Sequence, residues 1–174
     1  MEKIFDEWSS YIPGPLTAEN VKDRAVVLLT GSSGSLGSFL HERLVSSPYV
    51  EKVICLNRGT NAQSRQMRSY EHKGLSRGFQ LAIFLHGRIS KQCLGLGEDT
   101  FTNLLHEVTH VIHDAWEASL NRPLDSYVPY IRGVNHLIDT YTTSTCNAYL
   151  LFLLPEPSFL PASRYLLRSL SRKS

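Results

Sequence analysis

The feature that most constrains this chain is a glycine-rich turn held between a β-strand pattern and a helical one. Residues 25–30 read AVVLLT, a β-branched and aliphatic run suited to a strand buried on both faces. Gly31-Ser32-Ser33-Gly34-Ser35-Leu36-Gly37 follows. Residues 38–46 then place Phe39, Leu40, Leu44 and Val45 at helical spacing, and Pro48 ends that helix. Strand, glycine turn and helix in this order form a phosphate cradle. Gly31 permits the tight exit from the strand, Gly34 lets backbone approach a pyrophosphate, and Gly37 lets the helix pack closely. Unpaired N–H groups at the helix start then face the anion. The spacing is GxxGxxG, one residue longer in its first gap than the commoner GxGxxG.

The rest of the chain alternates in the same way. Residues 52–57 (KVICLN), 79–85 (FQLAIFL), 110–113 (HVIH) and 148–154 (AYLLFLL) read as four further strands. Between them, 60–75 is polar and basic and predicts a short helix and a loop. Residues 100–108 carry Phe101, Leu104, Leu105 and Val108 at helical spacing, and 124–141 carry Val128, Ile131, Val134, Leu137, Ile138 and Tyr141 along one side. The expected fold is therefore α/β: an incomplete Rossmann fold, with five parallel strands in the order 3-2-1-4-5 and helices on both faces. Residues 25–154 make up this domain. Residues 1–24 read as a polar, linker-like lead-in, interrupted by Pro13-Gly14-Pro15.

Composition removes several function classes. A net charge of +2 over 174 residues gives no warrant for nucleic acid or an anionic membrane surface. The longest apolar run, 148–154, is far short of the roughly 20 residues of a membrane span. The N-terminus lacks a basic region followed by an apolar one, so no secretory signal is expected. Cys55, Cys93 and Cys146 are odd in number and widely spaced, which suits reduced thiols and a cytoplasmic setting.

The end of the second strand selects between cofactors. An acid there binds the ribose diol of NAD. This chain has Asn57-Arg58 instead, with Arg65 and Arg68 on the next segment. A guanidinium pairs bidentately with phosphate, which favours NADPH.

Five blocks in order, TGSSGSLG (30–37), KVICLNRG (52–59), GRISKQCLGL (87–96), HVIHDAW (110–116) and YIRGVNHLIDT (130–140), resemble the thioester reductase domains of the extended, male-sterility-like short-chain dehydrogenase/reductases. Such domains terminate fungal non-ribosomal-peptide-synthetase-like enzymes, aminoadipate reductases and carboxylic acid reductases. The resemblance covers about residues 1–150. It implies that the parent enzyme uses NADPH to reduce an acyl thioester, held on a phosphopantetheinylated carrier domain, to aldehyde or alcohol. It also implies roles: Thr30, Gly31, Ser32, Ser33, Gly34, Ser35, Leu36 and Gly37 around the pyrophosphate, Arg58 with Arg65 at the 2′-phosphate, and His113, Asp114 and Ala115 along the cofactor. Two positions depart from the pattern. Arg88 stands where the family has an acid, and Asp114 where it has asparagine. A carboxylate at 114 would alter ribose contacts and repel the phosphates.

The superfamily's chemistry uses a serine or threonine, a tyrosine, and a lysine four residues after the tyrosine. None of the eight tyrosines is followed by lysine at that spacing, and Leu153-Leu154-Pro155 stands where the serine is expected. No catalytic residue is therefore assigned. After about residue 152 the pattern stops. Residues 155–174 hold three prolines, five serines and four basic residues, with Glu156 the one acid. This tail reads as aberrant, from a frameshift, a retained intron or a truncated gene model. The expected protein is a cofactor-binding fragment with little turnover. The alternatives are an active reductase with unusual residues and a non-catalytic dinucleotide-binding module.

A rival motif is present. His106-Glu107-Val108-Thr109-His110 fits HExxH, which on one helix makes a zinc site with Glu107 as general base. The Rossmann reading instead ends a helix near Val108 and starts a strand at His110. With no convincing third ligand, no metal is assigned, and a zinc protease is the remote alternative.

Overall fold

A computed structural model describes residues 24–76, 78–115, 123–143 and 148–153. The lead-in up to residue 23 and the tail 155–174 lie outside the described residues, as does Trp116. The strands are β1 (Ala25–Thr30), β2 (Val50–Asn57), β3 (Ala82–His86), β4 (His110–His113) and β5 (Tyr149–Phe152). The helices are α1 (Ser35–Val45), α2 (Ala62–Lys73), α3 (Glu98–Glu107) and α4 (Val128–Thr143), with single 3₁₀ turns at Gln92–Gly95 and Leu124–Tyr127. The five strands form one sheet in the order β3-β2-β1-β4-β5. Every pairing is parallel. This is the expected topology.

The two-residue period of β1 divides the core. Val26 and Leu28 face one side, with Ile54, Leu56 and Val111, and pack against Leu104 and Val108 from α3 and its cap and Leu137 and Tyr141 from α4. Val27 and Leu29 face the other side with Val53 and Cys55, under Leu44 and Val45 of α1. Leu28 and Leu29 are both fully buried. A strand buried on both faces therefore carries no alternation of polar residues, and each such side chain contributes about 1.5–3 kcal/mol by leaving water.

Several element boundaries differ from the sequence expectation, notably those of α2, β3 and β2. Helix α2 is a full 12 residues and ends on Gly74 in the left-handed conformation at φ +63. Its buried face is Ala62, Gln66 and Tyr70, so two of its three inward residues are polar and the apolar stripe is masked. Strand β3 starts at Ala82, not 79, because the Ala82 N–H donates to the Phe79 carbonyl in a turn. The Phe79 ring is used instead in a cluster with His41, Tyr70 and Phe84. Strand β2 begins earlier than expected, at Val50.

The HExxH stretch is divided between two elements. Helix α3 ends at Glu107, and Val108 is extended. His106 is exposed on α3. His110 lies within β4, paired with Val27 and Tyr149, and its ring stacks on Tyr149 at 5.1 Å. Glu107 is ion-paired with Lys52. The two histidines therefore do not share a helical face. Among the described residues no three His, Cys, Asp or Glu side chains gather as a metal cluster. No described helix is long and apolar enough to cross a membrane.

Two buried histidines make stability depend on pH. His41 hydrogen-bonds Tyr70 through Nδ1 at 2.6 Å, and His113 bonds Thr30 through Nδ1 at 2.7 Å. Burial pushes each pKa down from 6.5 to about 4. The unfolded chain then binds more protons than the native one between those values, so stability is full above about pH 6.5 and falls as pH drops toward 4. Denaturant unfolding at pH 7, 5.5 and 4.5 should show this loss, with a slope approaching about 1.4 kcal/mol per pH unit for each histidine. His41→Phe should make the slope shallower. An unchanged profile in that variant would contradict the assignment.

Candidate functional site

The site is built where β1, β2 and β4 end together. Their last residues are in register: Thr30 pairs with Leu56 and with His113. Crevices of parallel α/β sheets lie outside the carboxyl ends of the strands, beside the strand from which the order runs both ways. Here that strand is β1.

Gly31 leaves β1 with φ +80, a conformation that a side chain resists. Any Cβ on it would lie 2.7–2.8 Å from the backbone of Asp114 and Ala115. The Gly34 N–H donates to the Gly31 carbonyl, closing the turn, and Gly34 is the N-cap of α1. A Cβ on Gly37 would stand 2.0 Å from the Gly31 oxygen. Gly31 and Gly37 are thus required by close approach of backbone to backbone. Helix α1 begins without a side-chain cap hydrogen bond and with no acid in its first turn. Its first N–H groups have no intrahelical acceptor, which leaves a concave, electropositive loop.

The loop is held from behind. Ser32 is buried, its carbonyl accepting from Gln66 Nε2 at 3.0 Å. Lys73 Nζ donates to the Gly34 carbonyl at 2.9 Å and to the Ser38 and Ser69 hydroxyls. Ser33 is half-buried, while Ser35 and Leu36 are exposed. Neither Gln66 nor Lys73 was expected to serve the loop. Both lie on α2, and nothing in the local pattern connects them with residues more than thirty positions earlier.

Arg58 is exposed just past β2, its guanidinium 6.0 Å from the centre of the Tyr130 ring. The Arg65 guanidinium lies beside Gly59, and its Nε is buried without a hydrogen-bond partner. The two arginines expected to act together thus flank one turn. A cleft of about 300 Å³ opens next to it, reached by Thr30, Arg58, Arg88, Ala115, Ser126 and Tyr130. Arg88, noted in the sequence as a departure, lines the same cleft as Arg58. Ser126 comes from the 3₁₀ turn before α4 and Tyr130 from the first turn of α4, and neither was expected. The signal for Tyr130 would have been the 130–140 block itself, whose apolar side explains packing but leaves Tyr130 unaccounted for.

His113 is buried at the end of β4, and its Nε2 has no partner. Asp114 is half-buried, and its carboxylate accepts from the Gly37 N–H. Burial raises its pKa, and that hydrogen bond opposes the rise. Of the residues expected around the cofactor, Thr30, Arg58 and Ala115 line the rim of the cleft, Ser32 and His113 are buried behind it, and Leu36 points outward at 51% exposure.

This fold and rim define a dinucleotide-binding Rossmann domain of the short-chain dehydrogenase/reductase type. The chain belongs to the male sterility protein family of NAD-binding domains, whose pattern it matches over residues 29–152. NAD(P)H is accordingly its cofactor. It is 34% identical over 155 residues to a carboxylic acid reductase of Neurospora crassa, covering 88% of this chain and 15% of that protein. It is 37% identical over 143 residues to the adenylate-forming reductase Nps9 of Serpula lacrymans, covering 79% of this chain and 13% of that one. The chain thus spans about one-seventh of these relatives. Among solved structures, the terminal R domain of the myxalamid PKS-NRPS pathway superposes with a TM-score of 0.67 at 21% identity, over 87% of this chain and 41% of that domain.

The glycines separate by cost. Gly37→Ala should destabilise the chain by about 3 kcal/mol or prevent folding, since backbone on both sides must part. Gly34→Ala, whose Cβ would sit 3.1 Å from the Gly31 oxygen at an ordinary φ of −70, should cost about 1 kcal/mol. Paired denaturant curves check this, and equal costs would contradict the close-approach geometry.

Proposed function

We propose that this chain is the NADP(H)-holding portion of a thioester reductase, with residues 25–154 as the cofactor domain. Thr30 to Gly37 receive the pyrophosphate, with Ser32 placed to keep the loop's shape rather than to touch ligand. Arg58 and Arg65 receive the 2′-phosphate, and His113, Asp114 and Ala115 line the cofactor at the end of β4. The observation carrying this reading is the end of β2, where Arg58 lines the same cleft as Thr30 and the Arg65 guanidinium lies beside Gly59. The buried, unpartnered Arg65 Nε supports it, because a bound anion would organise that guanidinium. The uncapped start of α1 beside three glycines suits a pyrophosphate in the same way.

The cofactor supplies hydride to an acyl group. We take that group to be a thioester on a phosphopantetheinylated carrier, as the sequence resemblance implies. The chain's own residues bind and orient the cofactor and supply no proton donor of the usual kind. It has no tyrosine followed four residues later by lysine. General acid catalysis worth about 10²–10⁴-fold is missing without it.

Titration calorimetry with NADPH and NADH tests the proposal. NADPH should bind more tightly, and Arg58→Ala should weaken NADPH by about ten- to a hundredfold while leaving NADH within a few-fold. Equal affinities in the unaltered chain would remove the basis for an NADP(H) site. Acyl-carrier-dependent oxidation of NADPH should stay at background. Turnover by this chain alone would instead favour an active reductase using a different acid.

A further inference from the structure

The glycine loop already contains an anion of the protein's own. Asp114 leaves β4 with its N–H donated to the Thr30 carbonyl at 3.1 Å, which fixes its backbone against β1. Its side chain then turns into the loop. The positions where Cβ atoms of Gly34 and Gly37 would stand lie 3.9 and 2.9 Å from Asp114 Oδ2. The Gly37 N–H donates to the carboxylate. On its other side the His113 ring is engaged with Thr30. Among the described residues no ammonium or guanidinium is ion-paired with Asp114. Lys73, the cation nearest the loop in the hydrogen-bond network, is spent on the Gly34 carbonyl and two serine hydroxyls.

We propose that the Asp114 carboxylate is an internal competitor of the cofactor's pyrophosphate, satisfying the loop in the free protein and holding NADP(H) affinity below what the loop would otherwise give. Helix α1 brings neither a cap side chain nor an acid in its first turn, so the one anion at its start is supplied by β4. A carboxylate suits the free state, because it satisfies an N–H and a partial positive charge. The same carboxylate opposes a ligand with two further negative charges in the same concavity, in surroundings where charges are poorly screened. Asparagine at this position would keep an acceptor oxygen for the Gly37 N–H, remove the charge, and offer a donor in place of the second oxygen. The inference rests on the cofactor reading above, and it makes residue 114 a determinant of affinity rather than a catalytic group.

The test compares the full-length chain with Asp114→Asn and Asp114→Ser, two neutral replacements that both retain an acceptor. Folding is verified by thermal melts. Each protein is titrated with NADPH and with adenosine 2′-monophosphate, which carries the 2′-phosphate but no pyrophosphate. Asp114→Asn should tighten NADPH by about tenfold or more and leave adenosine 2′-monophosphate within about twofold. Asp114→Ser should tighten NADPH in the same direction. Unchanged or weaker NADPH binding by both folded variants, with the unaltered chain binding measurably, would overturn the competition while leaving the cofactor site intact. Equal tightening of both ligands would also overturn it, because the effect would then not belong to the pyrophosphate. If none of the three folded proteins bound either ligand, the cofactor reading itself would fail.

Discussion

Everything at the functional end of this molecule depends on how closely helix α1 approaches the turn that leaves β1. The Gly31 carbonyl accepts from Gly34 and lies where a Cβ of Gly37 would have to be. That contact brings the start of a helix to the end of a central strand. It also concentrates two effects that would be weak apart, the unpaired N–H groups and the aligned peptide dipoles. The hydrophobic core serves this contact. Val27 and Leu29 fix β1 beneath α1, while Val26 and Leu28 anchor the same strand on the opposite layer. The strand can neither shift nor rotate without losing both layers.

The parts legible in the sequence were those where one physical requirement dominates a short stretch. AVVLLT must be buried on both faces, so its run of apolar residues identifies a central strand. Three glycines at fixed offsets admit few structures when a strand precedes and a helix follows. The basic character of the turn after β2 was legible as well, although its two arginines diverge, Arg65 lying beside Gly59 and Arg58 reaching toward Tyr130. The break within HExxH was also legible, although local periodicity allowed a continuous helix through Val111 and Ile112. What ended the helix is long-range: His110 is committed to ladders with both β1 and β5.

The illegible parts are those in which polar residues are buried or distant elements meet. Helix α2 was underestimated because Gln66 and Tyr70 do the work expected of leucines. Gln66 donates to the Ser32 carbonyl and Tyr70 bonds His41, so their polarity is satisfied internally and conveys no amphipathic signal. Tyr130 and Ser126 enter the cleft far along the chain from Thr30, Leu56 and Arg58, with 68 to 100 positions between them. No spacing rule reaches across that separation.

The distribution of charge around the cleft carries the final step. The ends of β2 and β3 present Arg58 and Arg88, both exposed, and ordering either side chain on a phosphate costs rotamer entropy. The end of β4 presents Asp114, half-buried and already hydrogen-bonded to the loop. On the proposed reading, attraction sits at the adenosine end on groups that pay little desolvation in the free protein, and opposition sits at the pyrophosphate on a group already partly desolvated. Such an arrangement favours a ligand with an additional phosphate at the first position over one without it. Arg58 sets that preference and Asp114 does not, since the pyrophosphate is common to both ligands and opposition to it cancels in the difference of their affinities.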